Sequence, residues 1–385
     1  MNFELPEEIR TLREMVSDFV ANEITPNADQ WDEDHYYPRD LINKMGELGF
    51  FGCLIDEEYG GNEMGFLAQT VLTEELAKGS SSLRVAVNCN SAGTAFEILH
   101  HGTEEAKKKY IPKLMTGEYL GAFALTEPNA GSDTMSMKST AEDKGDYFVL
   151  NGAKTWISNA QVADVAIIYA YHDRSLKSKG LSAFILDCKQ DGVTTTALDK
   201  MGTRSSPTGE IIMENAKVPK ENLLGNLGDG VKIMFTSLNQ TRMFTAAGGV
   251  GVAQACLDIA TQYCTEREQF GKQVGQFQMN QDLIAQMAVE IEAARLLAYK
   301  AAWQKDQGMI NNTKETAYAK YYAGLVAQKC SHSAMKILGA YGYSTEYSVA
   351  RLYRDAVLYQ IVEGTENIQK WIIALDQLGY RKANR

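Results

Sequence analysis

The sequence contains no CxxC pair and no Cys/His cluster at metal-ligand spacing; its six cysteines, Cys53, Cys89, Cys188, Cys256, Cys264 and Cys330, lie far apart. This leaves neither a structural zinc motif nor the dense disulfide framework of small secreted domains, and no metal site is expected. Reduced, mostly buried thiols in a cytoplasmic protein are the reading that remains. Positive charge is also short: 38 basic residues stand against 49 acidic ones, a net charge of −11. Nucleic-acid binding needs a basic face, so that class is excluded, although a local patch for a phosphorylated cofactor is not. Residues 1–8 carry neither a basic stretch nor an apolar run and do not read as a signal peptide. No stretch reads as long and apolar enough to span a membrane, and there is no repeat of solenoid period or low-complexity segment.

What is there is a chain of 385 residues, 45% hydrophobic and 23% charged. That is ordinary globular composition on more chain than one core fills, so two or three domains are expected. From Pro6 to about Leu114 the apolar period is helical; Ile9, Leu12, Val16, Phe19 and Val20 share one face behind Pro6 and an acidic pair. Gly60-Gly61 and residues 79–82 punctuate this region as turns or caps. Between about Leu120 and Leu227 the pattern changes to strands: 146–157 reads as a hairpin turning at Asn151-Gly152. Residues 165–171 read as a strand buried on both faces, with 181–187 as its neighbour. After Gly228 helices return; 282–304 has Ile284, Met287, Ile291, Ala294 and Ala298 near one face. The small residues of 246–253 favour close packing of a backbone or ligand. The reading is α+β, with an N-terminal helical domain (1–118), a β domain (119–228) and C-terminal helices (229–385).

Four segments could carry chemistry. In 359–368, Glu363 follows an apolar pair and precedes Gly364-Thr365; buried beside a ring cofactor it would be a strengthened base, but an exposed acid at a turn has the same local pattern. In 123–133, a strand runs into a Pro-Asn-Ala-Gly-Ser turn whose N–H groups and hydroxyls could hold a polar ring edge or a phosphate, as could any surface loop. In 154–159, Trp156 could pack on a flat ring or sit in a core. The segment 267–278, with Arg267, Gln269, Phe270 and Gln278, could equally be a charged connection between helices.

Taken together, in this order and spacing, the four segments resemble the acyl-CoA dehydrogenase family from about Leu5 to Tyr380. The resemblance implies a middle β-barrel, a C-terminal four-helix bundle, a homotetramer, FAD as cofactor and an electron-transferring flavoprotein as partner. It implies that Glu363 takes the proton alpha to a thioester. By the same match Phe123, Leu125, Thr126, Ser132, Trp156, Ile157 and Ser158 line the flavin, and Arg267, Gln269, Phe270 and Gln278 reach the FAD of a neighbouring subunit. Leu338 and Gly339, within 336–342, and Thr365 and Glu366 are further cofactor contacts. Lys336 and Ala340 depart from the Gln and Gly of many relatives. Ser132, Asn239, Arg242 and Gly364 fall on the acyl-CoA side. Two other classes share parts of the pattern: flavin monooxygenases, which need no base at Glu363, and non-catalytic CoA- or lipid-binding helical proteins, which need no flavin set.

The acyl group is narrowed by Arg84, an arginine in an apolar helical run. An unpaired charge there is expensive, so it needs an anion, either a protein carboxylate or the substrate. Its position resembles the arginine that glutaryl-CoA dehydrogenases use for the distal carboxylate. Val362 stands where decarboxylating members have Tyr, and Asn88 replaces a substrate-contacting Ser. These departures suit either non-decarboxylating oxidation of glutaryl-CoA or an alicyclic thioester such as cyclohexane-1-carboxyl-CoA; in the second case Arg84 is paired within the protein.

Overall fold

The computed structural model describes residues 4–309 and 311–384, so the first three residues of the segment read above for targeting lie outside it. The N-terminal helices are α1 (Glu7–Phe19), α2 (Ala28–Glu33), α3 (Arg39–Glu47), α4 (Gly65–Gly79), α5 (Ser81–Asn90), α6 (Phe96–His101) and α7 (Glu104–Met115). Eight strands follow: β1 (Gly121–Ala124), β2 (Thr140–Asp143), β3 (Tyr147–Ser158), β4 (Val165–Tyr171), β5 (Leu181–Asp187), β6 (Val193–Ala197), β7 (Thr208–Pro219) and β8 (Leu223–Leu224). The C-terminal part holds α8 (Gly230–Glu266), a hairpin of β9 (Glu268–Gln269) and β10 (Lys272–Gln273), then α9 (Gln278–Asp306) and α10 (Thr313–Leu338). It ends with α11 (Ala340–Tyr343), α12 (Val349–Ile361) and α13 (Glu366–Gln377).

Helix α1 buries Ile9, Leu12, Val16 and Phe19, the stripe its sequence sets out. Each such side chain is worth about 1.5–3 kcal/mol when removed from water. Ser80 accepts a hydrogen bond from the Leu83 N–H and caps α5, which fixes the direction of the helix that carries Arg84. The strands form one mixed sheet in the order β6-β7-β3-β2-β4-β5-β8, with β1 added parallel to β4. Strand β5 lies antiparallel to β4, Val165 opposite Asp187 and Tyr171 opposite Leu181. The end strands β6 and β8 do not pair with each other, so the barrel expected from the resemblance is a hydrogen-bonded path with two ends.

Two sequence expectations are corrected. Asn151-Gly152 is not a hairpin turn, because β3 runs unbroken through it and pairs with β7 on one side and β2 on the other. Gly152, at φ +145, is an irregularity in that ladder, and a Cβ there would fall 2.3 Å from Ser139 Oγ. A turn signal is local, whereas the long partner β7 is supplied by sequence some 60 residues later. The second concerns α8, which by length and composition is apolar enough to cross a membrane. Of that apolar stretch, 78% is buried inside the protein. It is a core helix packed by α4, α9, α10 and α12, and its small residues allow the contact. A Cβ on Gly251 would lie 2.2 Å from the Glu74 carbonyl, and one on Gly249 would lie 3.1 Å from that of Ala323.

Candidate functional site

Glu363 sits just past the last turn of α12, at φ +57, followed by Gly364 at φ +84. A positive φ costs a non-glycine residue of order 1–3 kcal/mol and persists only where surroundings impose it. Here they do. The Arg242 Nε donates to the Glu363 carbonyl at 3.0 Å, and the Gln369 amide donates to the carbonyls of Glu363 (3.4 Å) and Gly364 (2.9 Å). Thr365 then caps α13 by accepting from the Ile368 N–H. The turn therefore aims the carboxylate back toward α8, where Thr241 donates its hydroxyl to Glu363 Oε2 at 2.8 Å. The Glu363 N–H makes no hydrogen bond to another described residue. A side chain on Gly364 would meet the Gln369 amide at 2.9 Å and the Arg242 guanidinium at 3.3 Å. Burial pulls the Arg242 pKa below its usual range, and the nearby Glu363 carboxylate opposes that pull.

Arg84 lies one helix away and is 4% exposed. Its guanidinium stands 5.3 Å from the centre of the Tyr359 ring, and Tyr359 in turn shares a 2.8 Å hydrogen bond with Ser81. Gly248 makes room for both, since a Cβ there would approach Tyr359 Oη to 2.9 Å and Arg84 Nε to 3.1 Å. No carboxylate among the described residues pairs with Arg84, and its Nε has no hydrogen-bond partner. One turn further along α5, the Asn88 side-chain oxygen accepts from Gln69 (3.3 Å) and Thr73 (3.2 Å). Asn88 lies four residues after Arg84 on the same helix, and with its oxygen occupied twice its NH₂ remains as a donor.

The expected flavin contacts gather at the ends of β1 and β3. Leu125 and Ile157 are buried, Phe123, Thr126 and Ser158 half-buried, and Ser132 exposed on the following loop. The two segments are zipped together: the Thr155 N–H donates to the Thr126 carbonyl at 2.9 Å, and the Asn159 amide to the Gly121 carbonyl at 2.9 Å. Beneath them lies an ion pair that the sequence reading missed. Lys154 is fully buried and donates to Glu127 Oε1 (2.8 Å) and the Leu125 carbonyl (3.2 Å), while Glu127 also accepts from the Ser139 N–H (3.0 Å) and Lys138 N–H. Burial drives the Lys154 pKa down to about 8 against the pull of Glu127. Above this pair Trp156 is 59% exposed at φ +59. An indole held open to solvent on a strained backbone, beside backbone already satisfied, suits a flat ring stacked on it. The residues present fit FAD on that observation.

Other expected contacts are elsewhere. Arg267, Gln269, Phe270 and Gln278 belong to the β9–β10 hairpin and the start of α9, with Phe270 and Gly271, both at positive φ, as its two-residue turn. Phe270 is 94% exposed, and its ring lies 6.2 Å from that of Phe277 at the foot of the same hairpin. Leu338 is buried, and Gly339 caps α10 through hydrogen bonds to the Met335 and Lys336 carbonyls. Lys336 and Ala340 are both exposed. Glu366 pairs with Lys370. Asn239 is taken up internally, donating to Asn312 at 3.2 Å and accepting from Thr316 at 2.7 Å. Besides Lys154 and Glu127, sequence reasoning missed Gln369 and the hydrogen bond made by Thr241. The Lys154–Glu127 and Thr241–Glu363 contacts join residues 27 and 122 positions apart, while Gln369 reads in sequence as an ordinary helical glutamine.

Three family models match the chain: the acyl-CoA dehydrogenase N-terminal domain at 6–118, the middle domain at 122–216 and the C-terminal domain at 228–377. The chain is 59% identical over 389 residues to a glutaryl-CoA dehydrogenase of Desulfococcus multivorans, with all of both chains covered. It is 40% identical over 370 residues to the caffeyl-CoA reductase-Etf complex subunit CarC of Acetobacterium woodii, covering 96% of this chain and 97% of that one. The solved structure of a glutaryl-coenzyme A dehydrogenase in complex with glutaryl-CoA superposes with a TM-score of 0.99 at 59% identity, covering 100% of this chain and 98% of that one.

Proposed function

This chain belongs to the acyl-CoA dehydrogenase family, an FAD-dependent oxidoreductase of acyl-CoA thioesters, and we propose that its substrate is glutaryl-CoA, oxidised between C2 and C3 without loss of carbon dioxide. The observation that carries the substrate is Arg84, a buried guanidinium with no carboxylate partner among the described residues. A buried charge needs a counter-charge, and the distal carboxylate of a glutaryl group is one. The alicyclic reading required a protein partner for Arg84, and none is present among the described residues. The Asn88 amide, turned by Gln69 and Thr73, adds a neutral donor beside it.

In this reading Glu363 removes the C2 proton. Thr241, hydrogen-bonded to its Oε2, holds the carboxylate to one side, and Arg242 with Gln369 fixes the strained turn. The free Glu363 N–H is the donor for the thioester oxygen as negative charge develops there, the usual arrangement for stabilising an enolate. FAD, when bound, supplies the acceptor for the hydride from C3; the chain supplies the base, orientation and exclusion of water. Val362 offers no hydroxyl beside the base, so the second carboxylate is held and not expelled.

Phe270 and its hairpin support a homo-oligomer, a tetramer in this reading, in which the exposed aromatic meets the cofactor of another subunit. An electron-transferring flavoprotein is the proposed electron acceptor, in keeping with the relative whose name includes Etf. Six unpaired cysteines, five of them buried, support a reduced cytoplasmic setting. The test is anaerobic bleaching of the flavin absorbance by glutaryl-CoA and, separately, by cyclohexane-1-carboxyl-CoA, with products weighed by mass spectrometry. Bleaching by glutaryl-CoA with a five-carbon product is expected. Bleaching by the cyclohexane thioester alone, or release of carbon dioxide, refutes this reading.

A further inference from the structure

Lys320 is a second buried cation with no carboxylate partner among the described residues. It is 1% exposed, and its Nζ has no hydrogen-bond partner. Such a group is costly unless its charge acts on something. The packing of α10 shows what it faces. Gly324 lies against the Tyr359 carbonyl, where a Cβ would come to 2.6 Å, and two turns further along α10 the His332 ring stands 6.4 Å from that of Tyr353, earlier in α12. The two helices therefore run antiparallel, so Lys320, one turn before Gly324, is level with Glu363, one turn after Tyr359. On its other side α10 touches α8 at Thr316–Asn239 and Ala323–Gly249. Lys320 falls between these contacts, opposite the stretch of α8 that carries Arg242. It also stands at the C-terminal end of α12, where a helix dipole favours a cation.

We propose that Lys320 is a positioning residue for the base: its ammonium acts through space on the Glu363 carboxylate and, with Arg242, favours the form that accepts a proton. The proposal rests on Glu363 being that base. The ionisable groups around the carboxylate are Arg242 on α8, Lys320 on α10, Glu366 at the start of α13, Arg84 and Cys89 on α5, and Tyr169 on β4. Glu366 is held by Lys370 and Arg84 by the substrate carboxylate, which leaves Lys320 and Arg242 as the cations facing Glu363. Burial pulls the Lys320 pKa down to about 8, with Glu363 opposing, so its charge is present at neutral pH and fades in alkali.

The experiment is the pH profile of glutaryl-CoA-driven flavin reduction in the holoenzyme and in Lys320→Met and Lys320→Arg. A unit charge on the order of 10 Å away at an effective dielectric of about 20 is worth roughly a factor of ten in an ionisation equilibrium. Lys320→Met is expected to reduce flavin more slowly than the wild type on the acid side of the profile, by up to about tenfold, and to converge with it by pH 9. Lys320→Arg is expected to follow the wild type, and KM for glutaryl-CoA to hold in both. A loss of equal size at every pH, or none, overturns the proposal. Should Lys320→Met not fold, the same coupling is read from the other partner. In Glu363→Gln the ¹³Cε resonance of Lys320 is expected to titrate at lower pH than in the wild type, and identical titrations overturn it. Full activity in Glu363→Gln would instead remove Glu363 as base, a separate failure that leaves the lysine titration to be judged alone.

Discussion

At the scale of single residues, Arg84 makes opposite demands on stability and on function. Unliganded, it is a desolvated guanidinium leaning on the Tyr359 ring, and cation–π contact returns only part of the lost hydration. Replacing a buried unpaired charge by an apolar side chain of similar length is often neutral or stabilising. Removing one partner of a buried charge pair in a complex costs about 2–5 kcal/mol of binding. Arg84→Met is therefore expected to melt at or above the wild-type temperature. Its kcat/KM should fall about a hundredfold or more for glutaryl-CoA and stay equal or rise for butyryl-CoA. Calorimetry and steady-state rates on both thioesters check this. A variant that loses activity equally on both would show that Arg84 orders the pocket and does not recognise a carboxylate. Thr241 shows the limit of reading residues from sequence. Its hydroxyl reaches Glu363 across 122 positions, and nothing near Thr241 in the chain announces the contact.

At the scale of elements, the surface proposed to face the flavin depends on two segments joined by the Lys154–Glu127 pair. Lys154→Met leaves Glu127 as a buried unpaired carboxylate and the Leu125 carbonyl without its donor. The expected cost is about 3–5 kcal/mol of stability in urea unfolding, together with weaker FAD binding by fluorescence titration. Retained affinity in a destabilised protein would mean that the pair supports the sheet alone. The segments themselves were legible as an ordered set, since each alone fits an ordinary loop, core strand or turn. Turn residues and glycines mark the loop at 123–133 and the turn at 359–368 as breaks in regular structure, and it is the order and spacing of these segments with 154–159 and 267–278 that carries the resemblance. The ion pair beneath them was not legible, since Lys154 alternates in a strand like any surface lysine. Asn151-Gly152 misled for the same reason in reverse, a local turn signal overruled when β7 paired along the whole of β3. The apolarity of α8 is likewise a tertiary property, set by four helices packing around it.

At the scale of the molecule, buried acids decide how stability follows pH. Glu97 on α6 is fully buried, and desolvation raises its carboxyl to about 8, with Ser237 on α8 pulling weakly the other way. His101 Nε2 lies 3.8 Å from its Oε2, but burial and the cations around it lower the pKa of His101 and keep it neutral near pH 7. Asp355, which accepts from the Thr203 N–H and so ties α12 to the sheet domain, is raised to about 6, chiefly by burial. For both groups the folded state keeps a proton that the unfolded chain releases near 4.5 or 3.8. Their stabilising contribution is thus complete in acid and lost as pH rises, through about 6 for Asp355 and about 8 for Glu97. Lys154, Lys200 and Lys320, each lowered to about 8 by burial, act with the opposite sign, because there the unfolded chain holds the extra proton, between about 8 and 10.5. Between pH 6 and 8 Glu97 therefore contributes a falling slope, and the melting temperature of the holoenzyme is expected to fall across that interval. Glu97→Gln keeps the shape and removes the titration, so its melting temperature should stay level from pH 6 to 8 and exceed that of the wild type at pH 8. A variant that reproduced the wild-type slope would assign it to another group and leave Glu97 paired by contacts stronger than Ser237 and a neutral histidine provide.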